Sequence, residues 1–372
     1  MAPGDTFVVP NATYYVMGGI KAKGLKGVVL MLEGTVVFSE DMDSWPTDGT
    51  GRVLECLEFE DLDNVTFSSS GMGLLDGRGS VWWGIPGLGY VERGENRPRL
   101  LAIANSKNIL VENWFFLNSP YWTFWAHGID GLEVRNSHVS AKRDDYDGHD
   151  LIDLTAFNTD GFDVSGRNVW IHDCSVWNQD DCFCVQDNSQ NMLFERLSAS
   201  GLGLTIGSIG GSTVKNITFR DIYMPNTYKG IYLKFRAEGG MISDIYYENI
   251  VIDKPEQWPI WIGPAQEADS SNLCAARPCS LCWPEIPFAS CTPAVNGIFS
   301  NITLRNVTIN SPVWDWGSGV ILGSESYPMD NIVFDGVVVK SPNAYPDYYA
   351  CSGVSLGVAK GGTWPVPSCF NQ

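Results

Sequence analysis

The residues best able to do chemistry in this sequence are four aspartates in two short groups. Asp160 and Asp163 form the first group, and the adjacent pair Asp180 and Asp181 forms the second. Crowded carboxylates repel one another, and a protein usually retains that cost for metal binding or for acid–base chemistry. Glycoside cleavage needs one protonated acid and one ionised base, and like-charge repulsion can supply that difference. The pattern therefore favours glycan hydrolysis.

Calcium binding is the alternative chemistry for the same carboxylates. Ca²⁺ takes aspartate oxygens, but this run lacks the extra carbonyl-rich spacing of a dedicated calcium loop. We therefore expect no bound metal at the aspartate cluster.

A repeat along the chain supplies the scaffold that such a cluster needs. Asn, Asp or Gly opens a short apolar run nine times, at Asn64, Asn108, Gly131, Asn168, Asn191, Asn216, Asp244, Asn301 and Asn331. The intervals between successive openings are 44, 23, 37, 23, 25, 28, 57 and 30 residues. Period-2 alternation and the lack of crossover helices predict stacked parallel strands. One turn of this solenoid, called a coil below, should span about 23 to 30 residues.

The coil length predicts where the aspartates meet. Asp160 and Asp180 are 20 residues apart, which is close to one coil. Adjacent coils lie about 4.8 Å apart, so Asp160 should lie beside Asp180 and Asp181. The long intervals mark excursions at 72–99, 141–157 and 255–296, which we expect to rim a groove.

Composition limits the size, the partners and the compartment. We expect the 372 residues to form one domain over 1–372, and the formal charge of −19 argues against nucleic acid and anionic membranes as partners. No stretch approaches the roughly 20 apolar residues of a membrane span, and no leader precedes Met1, so we expect a soluble chain.

Ten cysteines indicate disulfides and secretion. Five Asn-x-Thr glycosylation acceptors agree, at Asn11, Asn64, Asn216, Asn301 and Asn306.

The spacing of the cysteines favours disulfides over zinc. The four residues Cys274, Cys279, Cys282 and Cys291 lack the paired spacing of a zinc ribbon, so we expect a disulfide-stapled loop there. We expect a C-terminal staple from Cys351 and Cys369. Bridges between neighbouring coils are expected among Cys174, Cys182 and Cys184. Connectivity does not follow from the sequence.

Several motifs resemble the polygalacturonase family of glycoside hydrolases, family 28, over about residues 5 to 340. The motifs are Asn158-Thr159-Asp160-Gly161-Phe162-Asp163, Asn178-Gln179-Asp180-Asp181-Cys182, Gly203-Leu204-Thr205-Ile206-Gly207-Ser208, Asp76-Gly77-Arg78-Gly79, Trp82-Trp83, Arg97-Pro98-Arg99 and Asn118-Ser119-Pro120-Tyr121-Trp122. The resemblance implies a right-handed parallel β-helix, hydrolysis of α-linked pectin-like polysaccharide with inversion, and no cofactor. It implies that Asp180 is the general acid and that Asp160 and Asp181 hold the attacking water. Inversion predicts an acid–base separation of about 6.5 to 9.5 Å.

Two positions depart from the family pattern. Leu202 replaces the histidine of Gly-His-Gly, which supports the acid, and Tyr232 replaces the arginine that grips a uronate carboxylate together with the lysine at Lys234. Arg236 lies two residues beyond Lys234, so it either restores a cationic pair or points into solvent. Among the four histidines, His127 is the best candidate to replace the missing one, with a packed or surface role as the alternative.

The remaining predicted substrate contacts are polar and aromatic. We expect the substrate to contact Asn158, Gln179, Trp122, His127, Tyr232, Lys234 and Arg236. The leading hypothesis is a monomeric hydrolase of a pectic or related acidic glycan, either a polygalacturonase or a rhamnogalacturonan-type relative. A sugar-binding β-helix without catalysis and a calcium-dependent polysaccharide lyase are the alternatives.

Overall fold

The protein consists almost entirely of β-strands and turns. The computed structural model describes residues 1–84, 95–143, 147–149, 155–267, 274–313, 317–340 and 348–370. Within these ranges there is no α-helix, and a short 3₁₀ helix spans Gly79–Val81. The named strand pairs are parallel, which confirms the predicted fold class, a right-handed parallel β-helix. Most of the acidic run at 144–147 lies outside the described residues.

The chain divides into two compact units. Unit 1 comprises Met1–Cys184 and Leu193–Gly201, and unit 2 comprises Val185–Met192 and Leu202–Gln372. The boundary passes through two strands, Phe183–Val185 and Gln190–Ser200, which are β16 and β17. The single domain over 1–372 stays a prediction.

Unit 1 begins with fifteen strands. They are β1 Thr6–Val9, β2 Thr13–Val16, β3 Ile20–Lys23, β4 Val29–Leu32, β5 Thr35–Phe38, β6 Leu57–Glu60, β7 Asp63–Ser68, β8 Gly73–Asp76, β9 Leu101–Ala104, β10 Lys107–Glu112, β11 Trp114–Leu117, β12 Phe124–Arg135, β13 His138–Ser140, β14 Phe162–His172 and β15 Ser175–Trp177.

Unit 2 continues with twelve strands. They are β18 Leu204–Ile209, β19 Thr213–Met224, β20 Ile231–Phe235, β21 Gly240–Asp253, β22 Ile260–Pro264, β23 Gln266–Glu267, β24 Cys279–Ser280, β25 Gly297–Asn310, β26 Gly319–Leu322, β27 Asp330–Lys340, β28 Tyr349–Ser352 and β29 Gly357–Lys360.

The pairing register of unit 1 follows the predicted repeat. Val65 of β7 pairs with Ile109 of β10, Ile109 pairs with Leu132 of β12, and Leu132 pairs with Val169 of β14. These steps reproduce the predicted intervals of 44, 23 and 37 residues. Each excursion therefore adds residues between coils without shifting the register.

Unit 2 follows the same rule in its longer strands. Ile217 pairs with Ile245, Ile245 with Ile302, and Ile302 with Ile332. The predicted intervals of 28, 57 and 30 residues are confirmed.

Several of the asparagines that open the repeated runs form a ladder of hydrogen bonds between coils. Asn191, Asn216, Asn301 and Asn331 all have left-handed backbone conformations, with φ between 53° and 58°, a region that Asn tolerates better than most residues. The Asn216 amide donates to the Asn191 side-chain oxygen over 2.8 Å, and Asn331 donates to Asn301 over 3.0 Å. The same turn therefore recurs on successive coils, because the side-chain amide of one asparagine donates a hydrogen bond to the side-chain oxygen of another.

Apolar side chains fill the interior of each coil. In unit 1, Phe116, Phe124, Phe162 and Phe183 pack in succession, with ring centroids of neighbours 5.3 to 6.1 Å apart. Since side chains alternate along a strand, a residue next to one of these phenylalanines points outward. Asp163, beside Phe162, is such a residue.

The cysteines confirm the predicted staples and correct one expectation. Disulfides join Cys274 to Cys282, Cys279 to Cys291, and Cys351 to Cys369. The expected bridges among Cys174, Cys182 and Cys184 do not form, and these residues are buried thiols, as is Cys56. The thiols turn toward other acceptors instead: Cys174 Sγ lies 3.1 Å from the His172 carbonyl and Cys182 Sγ 3.4 Å from Asn178 Oδ1.

Candidate active site

Backbone hydrogen bonds between coils align the two aspartate groups in unit 1. The Thr123 N–H donates to the Asp160 carbonyl over 2.8 Å, and the Gly161 N–H donates to the Asp181 carbonyl over 2.8 Å. Asp160 and Asp181 therefore occupy neighbouring positions on successive coils. The predicted one-coil separation of the two groups is confirmed.

The three predicted catalytic carboxylates form one tight cluster. One oxygen from each of Asp160, Asp180 and Asp181 lies within 4.8 Å of the others. Stacked coils hold Asp160 near the Asp180–Asp181 pair at the inter-strand distance. The set could also ligate a hard cation, so the geometry alone fits two chemistries.

Backbone N–H groups orient the Asp180 carboxylate. The Asn158 N–H donates to Asp180 Oδ2 over 3.1 Å, and the Asp181 N–H donates to Asp180 Oδ1 over 2.9 Å. Asp180 is also more exposed than Asp160 and Asp181, which are 6 % and 3 % exposed. Of the three carboxylates, Asp180 is thus the most accessible.

A buried amide closes the turn that bears Asp180 and Asp181. Asn178 Nδ2 donates to the Thr159 carbonyl and to the Asp181 carbonyl, both over 2.9 Å. This side chain joins the two aspartate groups and fixes the turn from 178 to 181.

The predicted contacts Asn158 and Gln179 are engaged within the protein. Asn158 Oδ1 accepts from the guanidinium of Arg97 over 2.9 Å, and Arg97 is fully buried. Gln179 is 1 % exposed, and its Nε2 donates to the Ala141 carbonyl over 3.3 Å. Both residues support the cluster from the protein side.

Sequence reasoning missed His149, which contacts Gln179. Its Nδ1 lies 2.8 Å from Gln179 Oε1, and its ring stacks on Trp177 with centroids 5.2 Å apart. His149 lies in the 141–157 excursion, where no periodicity shows which way a residue faces. Its proximity to the aspartate motif in sequence was the only available signal.

The predicted contacts Trp122 and His127 belong to an aromatic and cationic stack. The Arg99 guanidinium lies 4.6 Å from the Trp122 ring centroid and 4.3 Å from that of Trp125. Tyr121 stacks on Trp122 at 5.1 Å, and His127 stacks on Trp125 at 5.2 Å. Ring surface that sugar stacking would use is therefore partly covered. His127 is exposed, and its Nδ1 lies 2.8 Å from Ser165 Oγ.

In unit 2, Tyr232 lies between two lysines. The Nζ atoms of Lys229 and Lys234 are each 4.2 Å from its ring centroid. Tyr232 is 2 % exposed, and its hydroxyl accepts from the Gln266 N–H over 3.3 Å. The tyrosine at the family's arginine position therefore holds Lys234 by a cation–π contact. Arg236 is exposed just beyond β20.

The cysteine-rich excursion packs against Tyr232 in unit 2. Tyr232, Trp261 and Cys279 belong to one buried cluster, and Trp283 packs against it. The two disulfides of the excursion hold this cover in place.

Residues 4–359 match the family model of the glycosyl hydrolases family 28. The chain belongs to this family. This family 28 chain is 26 % identical over 312 residues to an endopolygalacturonase of Emericella nidulans. The matched region covers 79 % of this chain and 76 % of that relative. It is 24 % identical over 360 residues to a probable rhamnogalacturonase B of Aspergillus fumigatus, covering 94 % of the chain and 58 % of that relative.

A solved structure agrees with the fold of this family 28 member. The endo-xylogalacturonan hydrolase from Aspergillus tubingensis matches with a TM-score of 0.73 at 21 % identity, covering 95 % of this chain and 90 % of that chain. The chain is a glycoside hydrolase, as predicted. No helix within the described ranges is long and apolar enough to cross a membrane.

A fourth carboxyl, Asp163, lies beside the cluster in this hydrolase. Burial raises the pKa of Asp163 well above its ordinary value, and the charges of Asp181 and Asp180 raise it further. Asp163 is fully buried, so the neutral acid is its stable form.

We expect Asp163→Asn to raise the melting temperature at pH 7 and to raise it less as the pH falls toward 4. Above about pH 4 an unfolded aspartate ionises while the folded Asp163 keeps its proton, so wild-type stability falls as pH rises toward the folded pKa. Asparagine does not titrate and escapes this loss. Calorimetry from pH 4 to 7 measures the difference.

Asp130→Asn is the matched control for this prediction. Hydrogen bonds from Arg167 and Asn168 lower the pKa of exposed Asp130, so its stabilising contribution is present at pH 7 and is lost on acidification. Its replacement should lower the melting temperature at pH 7. A stabilisation by Asp163→Asn that is largest at pH 4 would contradict the assignment.

Proposed function

We propose that this protein is an inverting hydrolase of α-glycosidic bonds in a pectic polysaccharide, with Asp180 as the general acid and Asp160 and Asp181 as the residues that hold the attacking water. The aspartate cluster carries this proposal. It brings three carboxylates together in a family of glycoside hydrolases whose members named above act on pectic polymers by their printed names.

The spacing of the cluster supports the water-holding role. A water molecule hydrogen-bonds to a carboxylate oxygen at about 2.7 to 2.8 Å, so two oxygens less than about 5 Å apart can share one water. Asp160 and Asp181 meet this condition, because their nearest ligand atoms are within 4.8 Å. Two ionised carboxylates on one water favour its deprotonation as it attacks the anomeric carbon.

The same crowding favours a proton on the acid. Asp180 lies within 4.8 Å of both water-holding carboxylates, and repulsion among three like charges raises the cost of ionising the last one. Asp180 then donates its proton to the leaving oxygen as the glycosidic bond breaks, and the water proton passes to the base.

We expect Asp180→Asn to lower turnover by about 10² to 10⁴-fold, because an amide cannot supply the proton. Release of reducing ends from pectin measures the rate, and circular dichroism confirms the fold. Asp130→Asn, on an exposed residue paired with Arg167, is the control that should retain wild-type turnover. A folded Asp180→Asn protein with wild-type turnover would refute the role of Asp180.

The stereochemistry of the product tests inversion directly. Because we assign water, and no carboxylate, as the nucleophile, the first product of an α-linked substrate should have the β configuration. Time-resolved proton NMR of the anomeric signals reads this before mutarotation. An initial α-anomer would show a covalent glycosyl-enzyme step instead.

We propose that the preferred substrate is a substituted, esterified or mixed pectic backbone rather than plain polygalacturonate. Tyr232 cannot form the two parallel charge-assisted hydrogen bonds that arginine makes with a carboxylate. The net charge of −19 also repels a polyanion over long range. Lys234, together with Arg236 at the surface, would then bind the carboxylate of a single uronate residue. A rhamnogalacturonan-type backbone is the alternative within this class, and the Aspergillus fumigatus relative supports it.

We expect initial rates on methyl-esterified pectin or rhamnogalacturonan to exceed those on polygalacturonate at equal concentration. Lys234→Gln should reduce the rate on uronate-containing substrates, because it removes the cation that meets the carboxylate. Tyr232→Phe is the control, since it keeps the ring on which Lys234 rests. An arginine at 232 would face two ammonium groups and destabilise unit 2. Fastest turnover on unmodified polygalacturonate would show that the substrate assignment is wrong.

We further propose that the protein is secreted, acts as a monomer and forms one catalytic domain over residues 1–372. Three disulfides support an oxidising compartment.

A further inference from the structure

His149 is a buried histidine that joins two consecutive coils of unit 1. Its Nδ1 lies 2.8 Å from Gln179 Oε1, and its Nε2 lies 2.9 Å from Ser200 Oγ. Asn178, next to Gln179, donates its backbone N–H to the Ser200 carbonyl over 3.0 Å, so the two coils are adjacent at this point. His149 is 2 % exposed and comes from an excursion rather than from either coil.

The hydrogen bonds around the imidazole define its tautomer. Gln179 Nε2 donates to the Ala141 carbonyl over 3.3 Å, which turns Gln179 Oε1, an acceptor, toward His149. Nδ1 therefore carries the proton and donates, and Nε2 accepts from the Ser200 hydroxyl. Burial lowers the pKa of His149, which agrees with a neutral ring.

The residue held by this ring immediately precedes the two adjacent aspartates. The Gln179 N–H donates to Thr159 Oγ1 over 3.1 Å, so Gln179 is fixed through both its backbone and its side chain. Its neighbour Asp180 receives the Asp181 N–H, which makes the carboxylate orientation depend on the path of this turn. A shift of about 1 Å in a reacting group can cost about 10²-fold in rate.

We propose that His149 is a positioning residue for this hydrolase: its neutral Nδ1–H form holds the Gln179 side chain and thereby sets the turn that aims Asp180 and Asp181. The proposal rests on the aspartate roles assigned above. The Nδ1 contact to Gln179 sets the turn, whereas the Nε2 contact to Ser200 ties the ring to the next coil. The two contacts can be separated by substitution.

Three substitutions in the full-length protein test the proposal. His149→Ala should lower kcat roughly tenfold to hundredfold with KM within about twofold, because the groups that react are displaced while substrate binding is retained. Asparagine places an amide N–H near the position of Nδ1, and glutamine places its amide near Nε2. His149→Asn should therefore keep more of the wild-type kcat than His149→Gln does, and this comparison holds even where His149→Ala fails to fold.

His138→Ala is the matched control. His138 Nδ1 makes the same kind of contact between consecutive coils, 2.8 Å from Ser175 Oγ, away from the aspartate turn. It should lose stability without a comparable loss of kcat. An unchanged kcat in His149→Ala, equal losses in His149→Ala and His138→Ala, or a His149→Gln at least as active as His149→Asn would overturn the proposal.

Crystal structures separate this proposal from the proposed function. If wild type cleaves no pectic substrate, the proposed function fails, and the positions of the Asp180 and Asp181 carboxylates still decide the role of His149. They should move in His149→Asn less than in His149→Gln, and should stay in place in His138→Ala. Carboxylates that coincide in wild type and both His149 variants would overturn the positioning role.

Discussion

The spacing between hydrogen-bonded coils, about 4.8 Å, is the constraint on which the candidate active site depends. The Gly161 N–H to Asp181 carbonyl bond places Asp160 and Asp181 on successive coils at equivalent positions. This register keeps their carboxylates in one cluster, with one oxygen of each within 4.8 Å of the other. In the proposed mechanism a shared water and a proton on Asp180 relieve the repulsion, and these are the two features that hydrolysis of a glycoside requires.

Asp163, Asn178 and Gln179 lie next to the aspartate cluster and add no charge to it. Burial and the adjacent carboxylates keep Asp163 protonated, so it adds no charge to the cluster. Asn178 and Gln179 satisfy backbone and side-chain partners without adding charge. Asp160, Asp180 and Asp181 are then the carboxyls left to act on substrate and water in the proposed mechanism, in which Asp180 carries the proton.

In unit 2 the protein uses aromatic rings where the family pattern has an arginine. Tyr232 separates the ammonium groups of Lys229 and Lys234, and its ring attracts both. The cysteine-rich excursion packs against a second aromatic ring of the same buried cluster, that of Trp261. Lys234 therefore offers one point charge in place of the two parallel hydrogen bonds that an arginine can donate to a carboxylate.

The sequence by itself determined the coil register and the pairing of Asp160 with Asp181, because turn residues and apolar alternation repeat along the chain and the coil spacing follows from backbone geometry. Only the tertiary structure placed His149 on Gln179 and buried Tyr232 between two lysines. His149 and Lys229 lie outside the strands, so no local period encodes the direction of their contacts, whereas Lys234 lies two residues beyond Tyr232 on the same strand. Packing of distant segments decided them.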